Sequence, residues 1–308
     1  MSVGIISHPQ CQSHDMGAHH PESPARLSVI NDYLIISGLE SVLKHYQATP
    51  IKRELLELAH DREYIAHIFD NAPTTGQYNL DGDTLMTPHT LPAALLAAGA
   101  AVNGVDLIMQ QTLTQVFCAT RPPGHHATRR QAMGFCLFNN IAIAARYAQT
   151  QHHLKRVAIL DFDVHHGNGT QDIVQDSADI LLCSSFQSPF YPYSGTEPTS
   201  ANIINSPLAA GEGSTEFRAL VEQHWLPALH DFKPEMLFIS AGFDAHIEDE
   251  MAQICLTEKD YYWVTQQLVQ FANTHCQQRI LSALEGGYSL DALGRSVVAH
   301  LNGLIDTV

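Results

Sequence analysis

Positive charge is scarce in this chain. Lys and Arg together number 16 against 32 Asp and Glu, a formal charge of -16 at pH 7. So acidic a surface repels phosphate backbones and anionic headgroups. It excludes nucleic-acid or membrane-surface binding driven by bulk electrostatics and suits a cationic partner such as a lysine-rich peptide or a polyamine. Cysteine pairs are missing too. Cys11, Cys118, Cys136, Cys183, Cys255 and Cys276 are scattered, with no Cys-x-x-Cys, so neither a thiolate zinc finger nor a disulfide framework is expected. No apolar run approaches the roughly 20 residues that span a bilayer; Ala93 to Val105 is short and reads as a buried helix. The opening Met1-Ser2-Val3-Gly4-Ile5-Ile6 lacks a basic flank and a long apolar core, so no secretory leader is apparent and a cytoplasmic address is expected. Repeats, low-complexity tracts and linkers are also lacking. One domain over residues 1–308 is therefore expected, although a length of about 150 residues per domain would suggest two.

What is present is an alternation of short apolar runs with helical patterns, the signature of a mostly parallel sheet covered by helices. Gln115–Ala119, Arg156–Leu160, Ile180–Cys183, Met236–Ser240 and Arg279–Ala283 read as strands buried on both faces. Helices are expected over Thr90–Gln111, Asn139–Gln149, Ser214–Phe232, from Thr257 to His275 behind a Thr cap with acids in the first turn, and over Ser289–Leu304. Four of the strands run directly into polar, glycine-containing segments: Arg121-Pro-Pro-Gly-His-His126, Asp161-Phe-Asp-Val-His-His-Gly167, Ala241-Gly-Phe-Asp244 and Glu285-Gly-Gly-Tyr288. Parallel strands would bring these segments to one sheet edge, where open α/β sheets bind ligands.

Histidines number 19, and their placement decides which matter. Asp163 and His165 stand two apart, so in extended backbone both side chains project to the same side, with Asp161 one step deeper. A third ligand has to come from another strand, and Asp244 is the best placed. An Asp-His-Asp set suits zinc and leaves one position open, as catalysis requires. Zinc polarises a carbonyl and lowers the pKa of its water to about 7. Amide hydrolysis then needs a base, an acid and an oxyanion donor. His125 and His126 supply the first two, Asp161 and Asn168 being placed to fix their tautomers. The Tyr288 phenol, following two glycines, can supply the third. Taken singly, an Asp after a strand is most simply a turn former, and a loop histidine or a tyrosine beside a turn is most simply structural.

Together these residues resemble the histone deacetylase family, which includes acetylpolyamine amidohydrolases and acetoin-utilisation proteins. The matching segments are His20-Pro-Glu-Ser-Pro-Ala-Arg-Leu27, Arg121–Ala127, Gly134-Phe-Cys-Leu-Phe-Asn-Asn140, Asp161–Gly169, Ser240–Asp244 and Glu285–Tyr288; they stand in family order over nearly the whole chain. The resemblance implies a three-layer α/β arginase/deacetylase-like fold around a central, mostly parallel eight-stranded sheet, and hydrolysis of acylated amines. It implies Asp163, His165 and Asp244 as zinc ligands, His126 as general base and acid, His125 as its electrostatic partner paired with Asp161, and Asn168 where some members carry Asp and class II-like members carry Asn. It implies Tyr288 as oxyanion donor, Phe135 and Tyr191 as tunnel walls, the Gly134 carbonyl as acceptor for the substrate amide, and Arg26 in an internal channel. A structural K+ or Na+ is implied at Asp161, Ser184 and the carbonyls of Asp163 and His165. Fe2+ is compatible with the same three metal ligands.

Two stretches depart from the family pattern. Asp249-Glu250-Met251 stands where Asp-Pro-Leu is usual, which puts Met251 at the tunnel mouth and an added acid, Glu250, nearby; Ser194-Gly195-Thr196 replaces a Gly-Thr-Gly. Acetyl-lysine in proteins or peptides is the expected substrate, acetylpolyamines the alternative, and a catalytically silent acyl-amine binder the rival of another class. Arginase-like ureohydrolases share the fold, but Asp244 is followed by Ala245-His246 rather than by a second acid two residues on. Their two-metal chemistry needs that bridging acid. The oligomeric state is not legible.

Overall fold

The computed structural model describes residues 2–306. Met1, with which the N-terminal run opens, lies outside the described residues, as do Thr307 and Val308. The strands are β1 (Val3–Ser7), β2 (Lys44–Gln47), β3 (Tyr78–Asn79), β4 (Leu85–Met86), β5 (Gln115–Cys118), β6 (Val157–Asp161), β7 (Ile180–Gln187), β8 (Ile203–Leu208), β9 (Leu237–Ala241) and β10 (Ile280–Leu284). The helices are α1 (Ala25–Ser37), α2 (Arg53–Leu56), α3 (Arg62–Asp70), α4 (Thr90–Met109), α5 (Asn140–His152), α6 (Asn168–Val174), α7 (Ser214–Leu220), α8 (Leu226–Phe232), α9 (Glu258–His275) and α10 (Leu290–Ile305).

Eight strands form one sheet in the order β2-β1-β5-β10-β9-β6-β7-β8, and every pairing within it is parallel. All residues of β5, β6, β7, β9 and β10 are buried, as expected for strands covered on both faces. Successive residues of β10 separate the two helical layers. Leu281 lies against Gly104 of α4, whereas Ser282 pairs with His300 of α10 across 2.8 Å. The edge strand β2 is mostly exposed and carries Lys44 and His45, which discourages pairing with another chain. Helix α4 is, among the described residues, the one helix long and apolar enough to cross a membrane, and 67% of its apolar window is covered by the rest of the fold.

Two expectations shift. The stretch Ser214–Phe232 is three segments, because a π turn at Val221–Trp225 separates α7 from α8. Pro227, which has no N–H to donate, sits just beyond that turn at the start of α8. Strand β6 ends on Asp161, so Asp163 and His165 lie in the loop beyond it rather than in regular strand.

Candidate active site

Parallel pairing brings the loops after β5, β6, β9 and β10 to one edge, where they cross-brace one another through carboxylates. Asp163 Oδ1 accepts from the His165 N–H at 2.9 Å, a local turn that replaces strand alternation as the reason the two side chains meet. Asp163 Oδ2 accepts from the Gly286 N–H at 2.8 Å, and Asp244 Oδ1 accepts from the Val164 N–H at 3.0 Å. Glu285 Oε2 accepts from the N–H groups of Gly124 and His125 at 2.7 and 3.1 Å, and its Oε1 from the Ser240 hydroxyl at 3.1 Å. Gly286 is obligatory: a Cβ there would run into the carboxylates of Asp244 and Asp163.

Asp163, His165 and Asp244 each offer one donor atom within 4.8 Å of the others, and all three residues are buried. His165 Nδ1 stands 3.1 Å from Asp163 Oδ1 and 3.2 Å from Asp244 Oδ2. Asp244 Oδ2 is buried with no hydrogen-bond partner. Burial, and then the charge of Asp163, push the Asp244 carboxyl up to about 6. Two buried carboxylates and an imidazole aimed at one point form a site that a divalent cation would relieve, and the O,N,O donor set fits zinc.

The tandem histidines diverge chemically although their rings stand 4.1 Å apart. His125 Nδ1 lies 3.0 Å from Asp161 Oδ2. Burial opposes charge on that ring, but Asp163 and Asp161 outweigh it and hold the group well above the usual histidine range. His126 Nδ1 lies 2.7 Å from Asn168 Oδ1, an acceptor, so its proton sits on Nδ1 and Nε2 keeps its lone pair. Burial and the neighbouring His125 and His165 hold His126 well below the usual range. Burial pushes the Tyr288 phenol up, so it remains a donor.

A cavity of about 160 Å³ is lined by Asp83, His126, Gly134, Phe135, His165, Phe190, Tyr191, Met251 and Tyr288. It thus gathers His126, Tyr288, Gly134, Phe135, Tyr191 and Met251, all named from sequence. Phe135 meets Tyr288 edge-on at 6.0 Å, Tyr191 meets His126 at 5.4 Å, and Phe190 stacks on His165 at 5.6 Å. Glu250 is exposed and is not part of that lining. Ser184 pairs in register with Asp161 on the neighbouring strand, and its hydroxyl is buried with no partner. Arg26 is fully buried, donates to the carbonyls of Gly287 and Glu285, and places its guanidinium 5.0 Å over the Tyr288 ring.

Sequence reasoning did not identify Phe190 or Asp83, and it named Glu22, Asp249 and Glu285 only within motifs, without their bracing roles. Phe190 had a signal, its place beside Tyr191 in Pro189-Phe-Tyr-Pro192. Glu22 is buried between Arg26, four residues on in the same segment, and Arg121 from a distant loop, with His14 Nε2 3.4 Å away.

An all-parallel sheet carrying a buried Asp-His-Asp centre and paired histidines at its carboxyl edge defines a hydrolase of the α/β class. The pattern of the histone deacetylase domain matches residues 20–304. Among similar proteins, "Histone deacetylase 14, chloroplastic" of Arabidopsis thaliana is 35% identical over 93% of this chain and 73% of its own. "Histone deacetylase-like amidohydrolase" of Pseudomonas aeruginosa is 34% identical over 94% and 79%. A crystal structure of the HDA15 HD domain superposes with a TM-score of 0.93 at 32% identity, covering 98% of this chain and 88% of that one. The chain belongs to the histone deacetylase family.

Proposed function

We propose that this protein hydrolyses the amide of N6-acetyl-lysine in proteins or peptides, releasing acetate, with zinc held by Asp163, His165 and Asp244. The observation that carries the reading is the convergence of those three donors beside a histidine with a free Nε2, with His165, that histidine and the Tyr288 phenol bordering one narrow cavity. A zinc ion held there supplies Lewis acidity toward the acyl carbonyl and lowers the pKa of water. His126 takes the proton of the attacking water and returns it to the leaving amine, with Asn168 fixing its tautomer. His125, kept protonated by Asp163 and Asp161, stabilises negative charge developing beside it. Tyr288 donates its phenol hydrogen to the oxyanion. The Gly134 carbonyl accepts the substrate amide N–H, Phe135 and Tyr191 flank the acyl chain, and Met251 narrows the mouth.

Fe2+ is compatible with the same ligands. The unpartnered Ser184 hydroxyl beside Asp161 supports a structural K+ or Na+ completed by the carbonyls of Asp163 and His165. Asp83, the one carboxylate lining the cavity, suits a cationic group ahead of the scissile amide and keeps acetylpolyamines as the second substrate class. We assign one catalytic domain over 1–308. The six cysteines are all free, in keeping with a reducing compartment such as the cytoplasm.

The test is a turnover panel on the zinc-loaded protein with acetyl-lysine peptides, longer acyl-lysine peptides and acetylated polyamines, each with and without a hydroxamate. Acetate release that the hydroxamate blocks, fastest on acetyl-lysine, is expected. Zinc-loaded protein that leaves every acylated amine intact would establish the silent-binder reading instead.

A further inference from the structure

Tyr288 follows Gly286 and Gly287, and Gly287 sits at φ 121°. Two successive glycines leave the tyrosine's place undetermined by its own backbone, so an external brace has to set it. Arg26 holds the loop by its carbonyls, those of Glu285 and Gly287. The amides are held from elsewhere. Asp249 Oδ2 accepts from the N–H groups of Tyr288 and Ser289 at 2.6 and 2.9 Å, and its Oδ1 accepts from the Met251 N–H at 3.0 Å. Asp249 is 5% exposed, and the acceptor side of its carboxylate is taken up by three backbone donors. Burying a charge is unfavourable unless hydrogen bonds compensate, and carboxylate-to-amide bonds are among the stronger ones. Those bonds tie the loop carrying the third metal ligand to the loop carrying the oxyanion donor.

We propose that Asp249 is the positioning residue for Tyr288, clamping the two amides at and after the tyrosine so that its phenol meets the acyl oxygen. The inference rests on the deacylase reading. Asp249→Asn isolates it, because Oδ1 can still accept from Met251 while an NH2 group faces the Tyr288 amide in place of an acceptor. Displacement of a catalytic group by about 1 Å can cost about 10²-fold.

The experiment measures kcat, KM and zinc content for the parent, Asp249→Asn, Tyr288→Phe and the double variant on an acetyl-lysine peptide. Asp249→Asn is expected to lower kcat at least about tenfold, with KM within about threefold and zinc stoichiometric. In the Tyr288→Phe background the same change is expected to alter kcat by less than about twofold, because the group it positions is gone. Losses that multiply in the double variant, or an Asp249→Asn enzyme within about twofold of the parent, overturn the proposal. Should the Asn variant lack a cooperative melt, Asp249→Glu, which keeps the charge and displaces its oxygens, is held to the same two criteria. Full activity in Tyr288→Phe alone removes the site reading and this inference with it. A crippled Tyr288→Phe beside a fully active Asp249→Asn overturns this inference alone.

Discussion

Midway along the sheet, Phe117, Phe238, Ile159 and Leu281 are completely buried among apolar neighbours; a few residues further along the same direction, His125, Asp161, Asp163, Asp244 and Glu285 are buried almost as deeply and carry ionisable groups. Burial stabilises the first region, at roughly 25 cal/mol per Å² of apolar surface. In the second it opposes folding, and the opposition is offset by directed bonds: Asp163, Asp244 and Glu285 each accept from backbone N–H groups of a neighbouring loop. The comparison teaches that the centre of the sheet supplies stability which its carboxyl end uses to hold like charges together. Substitutions at the two ends of one strand should therefore be felt in different measurements.

The largest expected effect lies at the charged end. Asp163→Ala or Asp244→Ala removes one of the three proposed ligands and should abolish stoichiometric zinc together with turnover while the fold survives; elemental analysis that finds one zinc per chain in either variant contradicts the ligand assignment. Next comes Tyr288→Phe, which should keep its zinc and lose about 10²–10³ in kcat, as the loss of an oxyanion donor typically does. Near-parental turnover on an acetyl-lysine peptide would take the phenol out of the chemistry.

Smaller effects sharpen the contrast from the structural side. His60 and His300 are both buried and neutral. His60 donates from Nδ1 to the Thr128 carbonyl and accepts the Asn139 N–H at Nε2, while His300 bridges Thr265 and Ser282. Burial pushes His60 down to about 4 and His300 down to about 3. In the unfolded chain both return to about 6.5, so that state binds protons first as the pH falls. Their contribution is intact above about pH 6.5 and drains away toward pH 4 for His60 and pH 3 for His300, at about 1.4 kcal/mol per pH unit for each. Urea melts of the parent and His300→Gln at several pH values read this directly; equal acid slopes in the two proteins would show that His300 does not titrate on unfolding. The smallest effect is expected from Ile159→Val in the middle of β6, a loss of about 0.5–1.5 kcal/mol in stability with kcat unchanged. A turnover defect there would break the division between the two regions.

The same division explains what the sequence reveals. The five central strands were legible because both faces are apolar; four of them shifted by one residue at one or both ends, while β7 runs four residues past the expected Cys183, to Gln187. The outer strands were not: the edge strand β2 reads Lys-His-Tyr-Gln, the edge strand β8 contains Asn205, Ser206 and Pro207, and β1, next to β2, is interrupted by Gly4. Helix α1 leaves Ile35 and Ile36 exposed, at 65% and 77%, which blurs its amphipathic pattern. Within the site, His125, His126, Asp163, His165, Asp244 and Tyr288 announced themselves in short motifs directly after strands. The braces did not, because Glu285 reaches back 161 residues to the Gly124 amide and Asp249 reaches 39 residues forward to the Tyr288 amide. Such contacts exist only once the sheet has assembled.

The amide partner of His126, the proposed general base, has a consequence of its own. Asn168 orients the His126 imidazole through its side-chain carbonyl and adds no formal negative charge. A carboxylate in that place would strengthen the ring's grip on a hydrogen ion; a neutral amide leaves the grip weak. The base therefore stays available in mildly acidic solution, and the acid limb of the rate profile falls at lower pH than an Asn168→Asp enzyme would show.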